Sequence, residues 1–251
     1  MLDSSMTHSM TKQDPILESP TVGVLLIGNE LLSGQVADIN LPYMATQLEK
    51  QGVQILETRI VPDQEAAIIQ AVHALAATYT YVVTTGGIGP THDDITIAAI
   101  AKAFDRPLVL HPGAVACFGT IDSLTPAQRQ MACLPEGATL VVDPATNSPG
   151  FRVKNVFSIA GFPHIMQGMF GEVLKEIGWG APLFTLKASF LGPESHIAAM
   201  LQTLQLAYPT VAIGSYPHYT KGHPPSVTLV FKGREQATVQ AAHDRFKAQI
   251  A

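Results

Sequence analysis

Cysteine and tryptophan are scarce in this sequence: two cysteines and one tryptophan in 251 residues. Cys117 and Cys133 form no C-x-x-C pair, so neither a disulfide framework nor a redox motif is indicated, and a reducing, cytoplasmic compartment fits best. Charged residues make up only 14% of the chain, and Lys and Arg are scattered rather than clustered. With a net charge of −5, no electrostatic case exists for nucleic acid or an anionic membrane as partner. No apolar run approaches the ~18 residues that span a bilayer. The nine histidines show no zinc-binding spacing. Residues 1–20 lack both the apolar stretch of a signal peptide and the Arg of a transit peptide, which leaves a disordered tail as the expectation. Met6 and Met10 leave the start codon open.

What the sequence does contain is hydrophobic material, 47% of the residues, enough for a well-buried core. It also contains an unusual stretch from Tyr81 to Thr96. Tyr81-Val82-Val83-Thr84 reads as a buried strand. Gly86, Gly87 and Gly89 then fall within four positions, so the chain turns with its N–H groups uncovered. Thr91 stands three residues before Asp94, the spacing of a capping box, ahead of a helix marked by Ile97, Ile100, Ala101 and Phe104. Strand, glycine loop and helix start together make a crevice suited to phosphate. Adjacent helical residues point about 100° apart, so Asp93 and Asp94 are not expected to face the same ligand atom. A carboxylate aimed at phosphate would need a divalent cation between them. Read alone, the glycines are equally a tight strand-to-helix turn.

Upstream, Val22–Ile27 reads as a central parallel strand ending at Gly28-Asn29-Glu30. Glu30 is either a solvated loop acid or a site acid. Asn40 reads as the N-cap of a helix that Gly52 closes. A strand over Val53–Val61 ends at Pro62-Asp63, and Asp63 is placed to cap a helix over Gln64–Ala77. If successive strands are parallel, Asp63 and Asp94 begin helices on the same edge of one sheet. Downstream, Leu108–Leu110, Pro112–Phe118 and a Thr125-capped helix to Cys133 carry weaker signals. Strands are expected over Thr139–Val142 and Val153–Ile159, with the turn-rich Pro144–Gly150 between them. A helix over His164–Ile177 follows Gly161-Phe162-Pro163. Residues 184–251 read as β-α-β-β-α: strands Phe184–Leu191, Val211–Tyr216 and Ser226–Lys232, helices Pro193–Ala207 and Glu235–Ile250. Lys221, His218 and His223 lie in a loop there, solvated or within reach of a ligand. The expected organisation is a tail over 1–20, a doubly wound, mostly parallel α/β domain over 21–180, and a small α+β unit over 181–251.

The run Thr85-Gly86-Gly87-Ile88-Gly89-Pro90-Thr91-His92-Asp93-Asp94-Ile95-Thr96 resembles the signature of the molybdopterin-binding fold family of molybdenum cofactor biosynthesis. More narrowly, it is similar to the N-terminal region of the competence/damage-inducible protein A (CinA) family and to the molybdopterin-binding-like domain of eukaryotic FAD synthases. Ile27-Gly28-Asn29-Glu30-Leu31-Leu32-Ser33-Gly34 with Asp38-x-Asn40, and Val61-Pro62-Asp63, add two further matches in the same order. Ile213-Gly214-Ser215-Tyr216-Pro217 resembles the corresponding part of the FAD synthase fusion. Gly161-Phe162-Pro163 resembles the family's Pro-Gly-x-Pro element, with Ala160 in place of the first proline and His164 where a lysine often follows. The amidohydrolase domain that follows in CinA has no counterpart in these residues, so that activity is not implied.

The resemblance implies hydrolysis of a nucleotide diphosphate such as ADP-ribose or FAD at its pyrophosphate, with Mg²⁺, Mn²⁺ or Co²⁺ held by Asp94, Asp63 and Glu30 as the catalytic acids. It implies substrate contacts at Gly28, Asn29, Asp38, Asn40, Gly86, Gly87, Gly89, Thr91, Gly161 and Pro163. Molybdopterin adenylylation and a non-catalytic nucleotide-binding module are the alternatives. The partner is a small nucleotide or pterin ligand; self-association into a homo-oligomer is left open.

Overall fold

The computed structural model describes residues 19–250; the expectation for the N-terminal tail falls outside these apart from Ser19 and Pro20. Eleven strands are formed among the described residues: β1 (Thr21–Ile27), β2 (Gln54–Val61), β3 (Tyr81–Thr85), β4 (Leu108–Leu110), β5 (Cys133–Pro135), β6 (Thr139–Val142), β7 (Pro149–Val153), β8 (Val156–Ile159), β9 (Phe184–Leu191), β10 (Ala212–His218) and β11 (Ser226–Gly233). The α-helices are α1 (Asn29–Leu32), α2 (Asn40–Lys50), α3 (Glu65–Thr78), α4 (Thr96–Ala103), α5 (Pro112–Phe118), α6 (Pro126–Ala132), α7 (Pro163–Ile177), α8 (Ala198–Ala207) and α9 (Gln236–Ile250).

Six strands make one sheet in the order β2-β1-β3-β8-β7-β6. The first four are mutually parallel, and β7 and β6 run antiparallel to their neighbours. The near-continuous apolar composition of β1, Val22 and Val24–Ile27 all buried, is what a strand covered on both faces requires. One face packs on α3 and α4 through Leu25, Ile68, Val72, Leu75 and Ile100; the other packs on α2 and α7 through Val24, Leu26, Met44, Met166 and Phe170. From β1 the chain crosses to β2 on one side, then returns past β1 to β3 on the other. The crevice between the carboxyl ends of β1 and β3 is therefore the topological switch point, where open α/β sheets bind ligands.

The C-terminal residues build an antiparallel sheet, β10-β11-β9, with α8, α9 and a core of its own around Leu229, Phe231 and Phe246. Alternate burial along β11 shows one face against that core.

Three local expectations are corrected. The strand expected over Val153–Ile159 is two strands, β7 and β8, joined by a hairpin in which Lys154 takes φ +51°. β7 begins at Pro149, inside the stretch read as turn. The helix expected from Pro193 opens as a 3₁₀ turn over Glu194–His196, and α8 proper starts at Ala198.

Candidate functional site

Strands β1, β2, β3 and β8 deliver their C-terminal loops to one edge of the sheet. There they line a cleft of about 690 Å³, within the usual range of small-ligand sites. The loop after β1 supplies Gly28 and Glu30; that after β2 supplies Asp63. The loop after β3 supplies Gly86–Thr91, Asp93 and Asp94, and that after β8 supplies Ala160–Pro163.

The glycine loop is shaped by close approach. Gly86 has φ +103°, and a Cβ there would collide with the Ile27 carbonyl oxygen, so the β1 and β3 loops can meet only with glycine at this position. Gly87 has φ +67°, and a Cβ there would strike the Thr96 hydroxyl at the start of α4. The Gly87 carbonyl accepts from Thr96 N at 2.9 Å, which fastens the loop to the helix. The N–H groups of Gly87, Ile88 and Gly89 find no acceptor among the described residues and remain free for an anion.

Thr91 and Asp94 do pair, but in one direction: Thr91 N donates to Asp94 Oδ2 at 2.7 Å, the Thr91 hydroxyl donates to the same oxygen, and Asp94 N bonds the Thr91 carbonyl instead of its hydroxyl. They close a turn ahead of the helix rather than its cap, because α4 starts at Thr96 with Ile95 as N-cap. This corrects the expectation for the acid pair. Asp93 and Asp94 stand in a turn, not on a helix, so the 100° separation does not apply and both line the cleft. The Thr91 hydroxyl lies 2.6 Å from Asp93 Oδ1, and that hydrogen bond holds the Asp93 carboxyl below the ordinary carboxylate range. With one proton, the hydroxyl serves the two acids alternately.

Two capping assignments change as well. Asp63 does not cap α3, whose N-cap is Gln64; its Oδ2 accepts from Asn29 N at 2.8 Å and so joins the β2 loop to the β1 loop. Asn40 is the first residue of α2 rather than its N-cap. Asp38 accepts from the N–H groups of Asn40 and Leu41 and does the capping. Asn40, freed from that task, turns inward and is buried. Its Nδ2 donates to the Gly161 carbonyl at 2.7 Å and to Thr85 Oγ1 at 3.4 Å, tying α2 to the loops after β8 and β3. Asn29, Asp38 and Asn40 thus support the cleft from behind instead of lining it.

Glu30, Asp63 and Asp94 line the same cleft, but among the described residues no three His, Cys, Asp or Glu side chains gather closely enough to form a metal-holding group. The three acids named from the sequence stand as separate carboxylates around one space. This donor set fits a hard cation in the way Mg²⁺ is commonly held, by one or two carboxylates with the remaining positions filled by water and substrate phosphate. Among the described residues, four carboxylates (Glu30, Asp63, Asp93 and Asp94) line the cleft, and no Lys, Arg or His does. His164 is exposed on the first turn of α7, outside the lining, and His218, Lys221 and His223 are outside it too.

Sequence reasoning missed the other half of the cleft. Val36, Met131, Ile165 and Met169 make an apolar wall, with Phe162 exposed beside it. Ser148 and Pro149 enter from the loop before β7, which Asp143 organises from a buried position. Asp143 accepts from Ala145 N at 3.2 Å, Thr146 N at 3.0 Å and the Thr146 hydroxyl. Burial pushes its carboxyl up, but these hydrogen bonds and the nearby His164 outweigh that and hold it below the ordinary value. Asp and Ser in a turn-rich run gave the only hint; Met131 on α6 gave none.

Residues 23–178 match the family model described as probable molybdopterin binding domain, and residues 182–251 match that of the FAD synthase middle domain. A protein of Archaeoglobus fulgidus is 31% identical over 224 residues, covering 89% of this chain and 95% of its own length. A CinA-like protein of Citrifermentans bemidjiense is 36% identical over 210 residues, 74% of this chain. The chain spans about half the length of that protein and of the CinA-like protein of Nostoc. Among solved structures, the protein CinA of Thermoplasma acidophilum superimposes with a TM-score of 0.58 at 28% identity, over 63% of this chain and 98% of that one. The chain belongs to the molybdopterin-binding domain family, joined to a FAD synthase middle domain and with CinA-like proteins among its relatives.

Proposed function

We propose that the protein hydrolyses a nucleotide diphosphate of the ADP-ribose or FAD type at its pyrophosphate, with a divalent metal. The observation that carries this reading is the electrostatics of the cleft. Free N–H groups of Gly87, Ile88 and Gly89 offer an anion site. Around them stand four carboxylates, without one cationic side chain among the described residues of the lining. Phosphate alone would be repelled by such walls; phosphate carrying a cation would be attracted.

A bound divalent cation would supply charge neutralisation at the phosphorus and a lowered pKa for the attacking water. The chain's own residues hold and orient. The glycine-loop N–H groups bind phosphate oxygens, and Thr91 keeps Asp94 in one rotamer by two hydrogen bonds. Asp63, fixed by Asn29 N, keeps one oxygen outside that bond. Asp94, Asp63 and Glu30 are the residues that would share the cation with the substrate. The apolar wall excludes water from one side of the reacting group.

Molybdopterin binding with adenylylation is the second reading, favoured by the family match over residues 23–178. A nucleotide-binding module without chemistry is the third. Incubation with Mg²⁺, Mn²⁺ or Co²⁺ and a panel of ADP-ribose, FAD, NADH and ATP separates them. Metal-dependent release of AMP from ADP-ribose or FAD is expected. Release of pyrophosphate from ATP only when a molybdopterin is added would select the second reading, and binding without turnover the third.

A further inference from the structure

Among the described residues Phe162 is the one aromatic lining the cleft, and it is the one Phe that is largely exposed, at 69%: five others are fully buried and four partly so. Leaving its ring in water forgoes most of the stabilisation that burial of a Phe supplies, so the position asks what covers it. Its backbone is not loose. The preceding Gly161 carbonyl is held by the buried Asn40 side chain at 2.7 Å, and its own carbonyl accepts from Met166 N at 2.8 Å. Pro163 fixes the next residue as the first of α7. The ring is therefore presented from a rigid base, at the rim of a cleft that is also lined by Val36, Met131 and Ile165. The acid and N–H wall lies on the loops after β1, β2 and β3, and the Phe162 wall on the loop after β8, so one ligand with a charged end and a flat apolar end spans both.

We infer that Phe162 is a specificity-determining residue that stacks on the planar heteroaromatic ring of the ligand, adenine or isoalloxazine, while the glycine loop and acids engage its phosphates. This rests on the reading of the cleft as a nucleotide site and says which ligands it favours: those whose phosphate carries a flat ring, over ringless phosphates and sugar phosphates, which keep only the phosphate contacts.

Calorimetric titration in the presence of Mg²⁺ tests it with three probes: α,β-methylene-ADP, which has adenine and an uncleavable bridge; FMN, which has isoalloxazine; and methylenediphosphonate, which has no ring. Phe162→Ala is expected to weaken binding of at least one ring-bearing probe by about tenfold, the scale of base–aromatic stacking, and to leave methylenediphosphonate within twofold. Phe162→Trp should keep or tighten the ring-bearing affinity. Equal losses for all three probes, or no loss for either ring-bearing one, overturns the inference, as does failure of the wild-type chain to bind any ring-bearing probe. A lower molar mass of Phe162→Ala in light scattering also overturns it, by assigning the ring to a contact between copies. Selective loss of ring binding in a protein without hydrolase activity would leave the stacking role standing and remove the proposed reaction. Hydrolysis with an unchanged KM in Phe162→Ala would do the reverse.

Discussion

Asp94 shows why a carboxylate beside a phosphate site calls for a functional account. Its Oδ2 is taken by Thr91, and its Oδ1 has no hydrogen-bond partner among the described residues. Asp94→Asn keeps an oxygen for the Thr91 N–H and removes only the charge. Stability should change by about 1 kcal/mol or less. Turnover of ADP-ribose or FAD should fall at least ~10²-fold, the scale of losing one preorganised electrostatic contact. Metal-dependent AMP release and thermal unfolding, measured on one sample, distinguish this from a purely structural acid, for which turnover would hold and the melting point would drop. Asn40 makes a second residue-scale case, because it acts without touching the cleft. Reversing its amide would set Oδ1 against the Gly161 carbonyl, so the orientation with Nδ2 donating is the one the surroundings allow. That leaves Oδ1 buried without a partner among the described residues. In Asn40→Ala the loss of the donor is partly offset by the loss of that unpaired oxygen, and the expected cost is about 1 kcal/mol. The Gly161–Pro163 loop would lose its anchor, so KM should rise by more than kcat falls; equal changes in both would show that the loop does not depend on Asn40.

At the level of elements, the segment from Asp143 to Pro149 is held by a single buried acid. Its carboxyl titrates below 3.8 in the folded protein, so the unfolded chain takes up the proton first. The stability this contributes is complete well above pH 3.8 and is lost as pH falls through that value and below. Denaturation followed between pH 6 and pH 3 should show a steeper acid loss in the wild type than in Asp143→Asn. The variant should be the less stable of the two at pH 6, because its amide oxygen can replace only one carboxylate oxygen and its NH2 would face the donor of Ala145 or those of Thr146. The same elements show where sequence is readable. Periodicity and apolar runs placed β1, β2, β3, α2, α3 and α7 nearly where they stand, because burial imposes those patterns on the central strands and on the inner faces of the helices, while the edge strand β2 is only partly buried. Side-chain hydrogen-bond choices were less legible. Asp63, Asn40 and Thr91 all have residue types that cap helices, and each does something else: Asp63 and Asn40 because a loop distant in sequence offers a better partner, Thr91 because its own turn places Asp93 and Asp94 within reach before the helix begins. The hairpin at Lys154 was hidden because nothing in Val153-Lys154-Asn155-Val156 distinguishes a continuous strand from a tight reversal until Asn155 is seen bonding the carbonyls of Ala76 and Tyr79. The apolar half of the cleft was hidden for a different reason: Ile165 and Met169 do belong to the buried stripe of α7, Met169 fully so, and that the edge of this core also borders the cleft, with Met131 of α6, depends on the tertiary arrangement.

For the molecule as a whole, the division of labour can be read from what each sheet touches. Every residue lining the cleft lies between Ile27 and Met169. The three-stranded sheet has its own core. Its polar links to the rest include Lys232–Glu49 at 2.8 Å and Arg234 Nη1 to the Ala181 carbonyl at 2.7 Å. The first is a partly exposed ion pair, a class worth about 0–1 kcal/mol. A chain ending at Ala181 is therefore expected to keep the six-stranded sheet and the cleft. Its hydrolysis of ADP-ribose should stay within about threefold of the full chain, since no group that would bind, orient or exclude water has been removed. Calorimetry of the full chain should show the smaller core unfolding as a separate transition, absent from the shortened chain. A shortened chain that folds, with native circular dichroism, but loses turnover would place part of the working site in residues 182–251. Salt dependence then narrows the cause. If Lys232–Glu49 aligns the two sheets, raising ionic strength should lower turnover of the full chain toward that of the shortened one; if it is only a surface pair, salt should act equally on both.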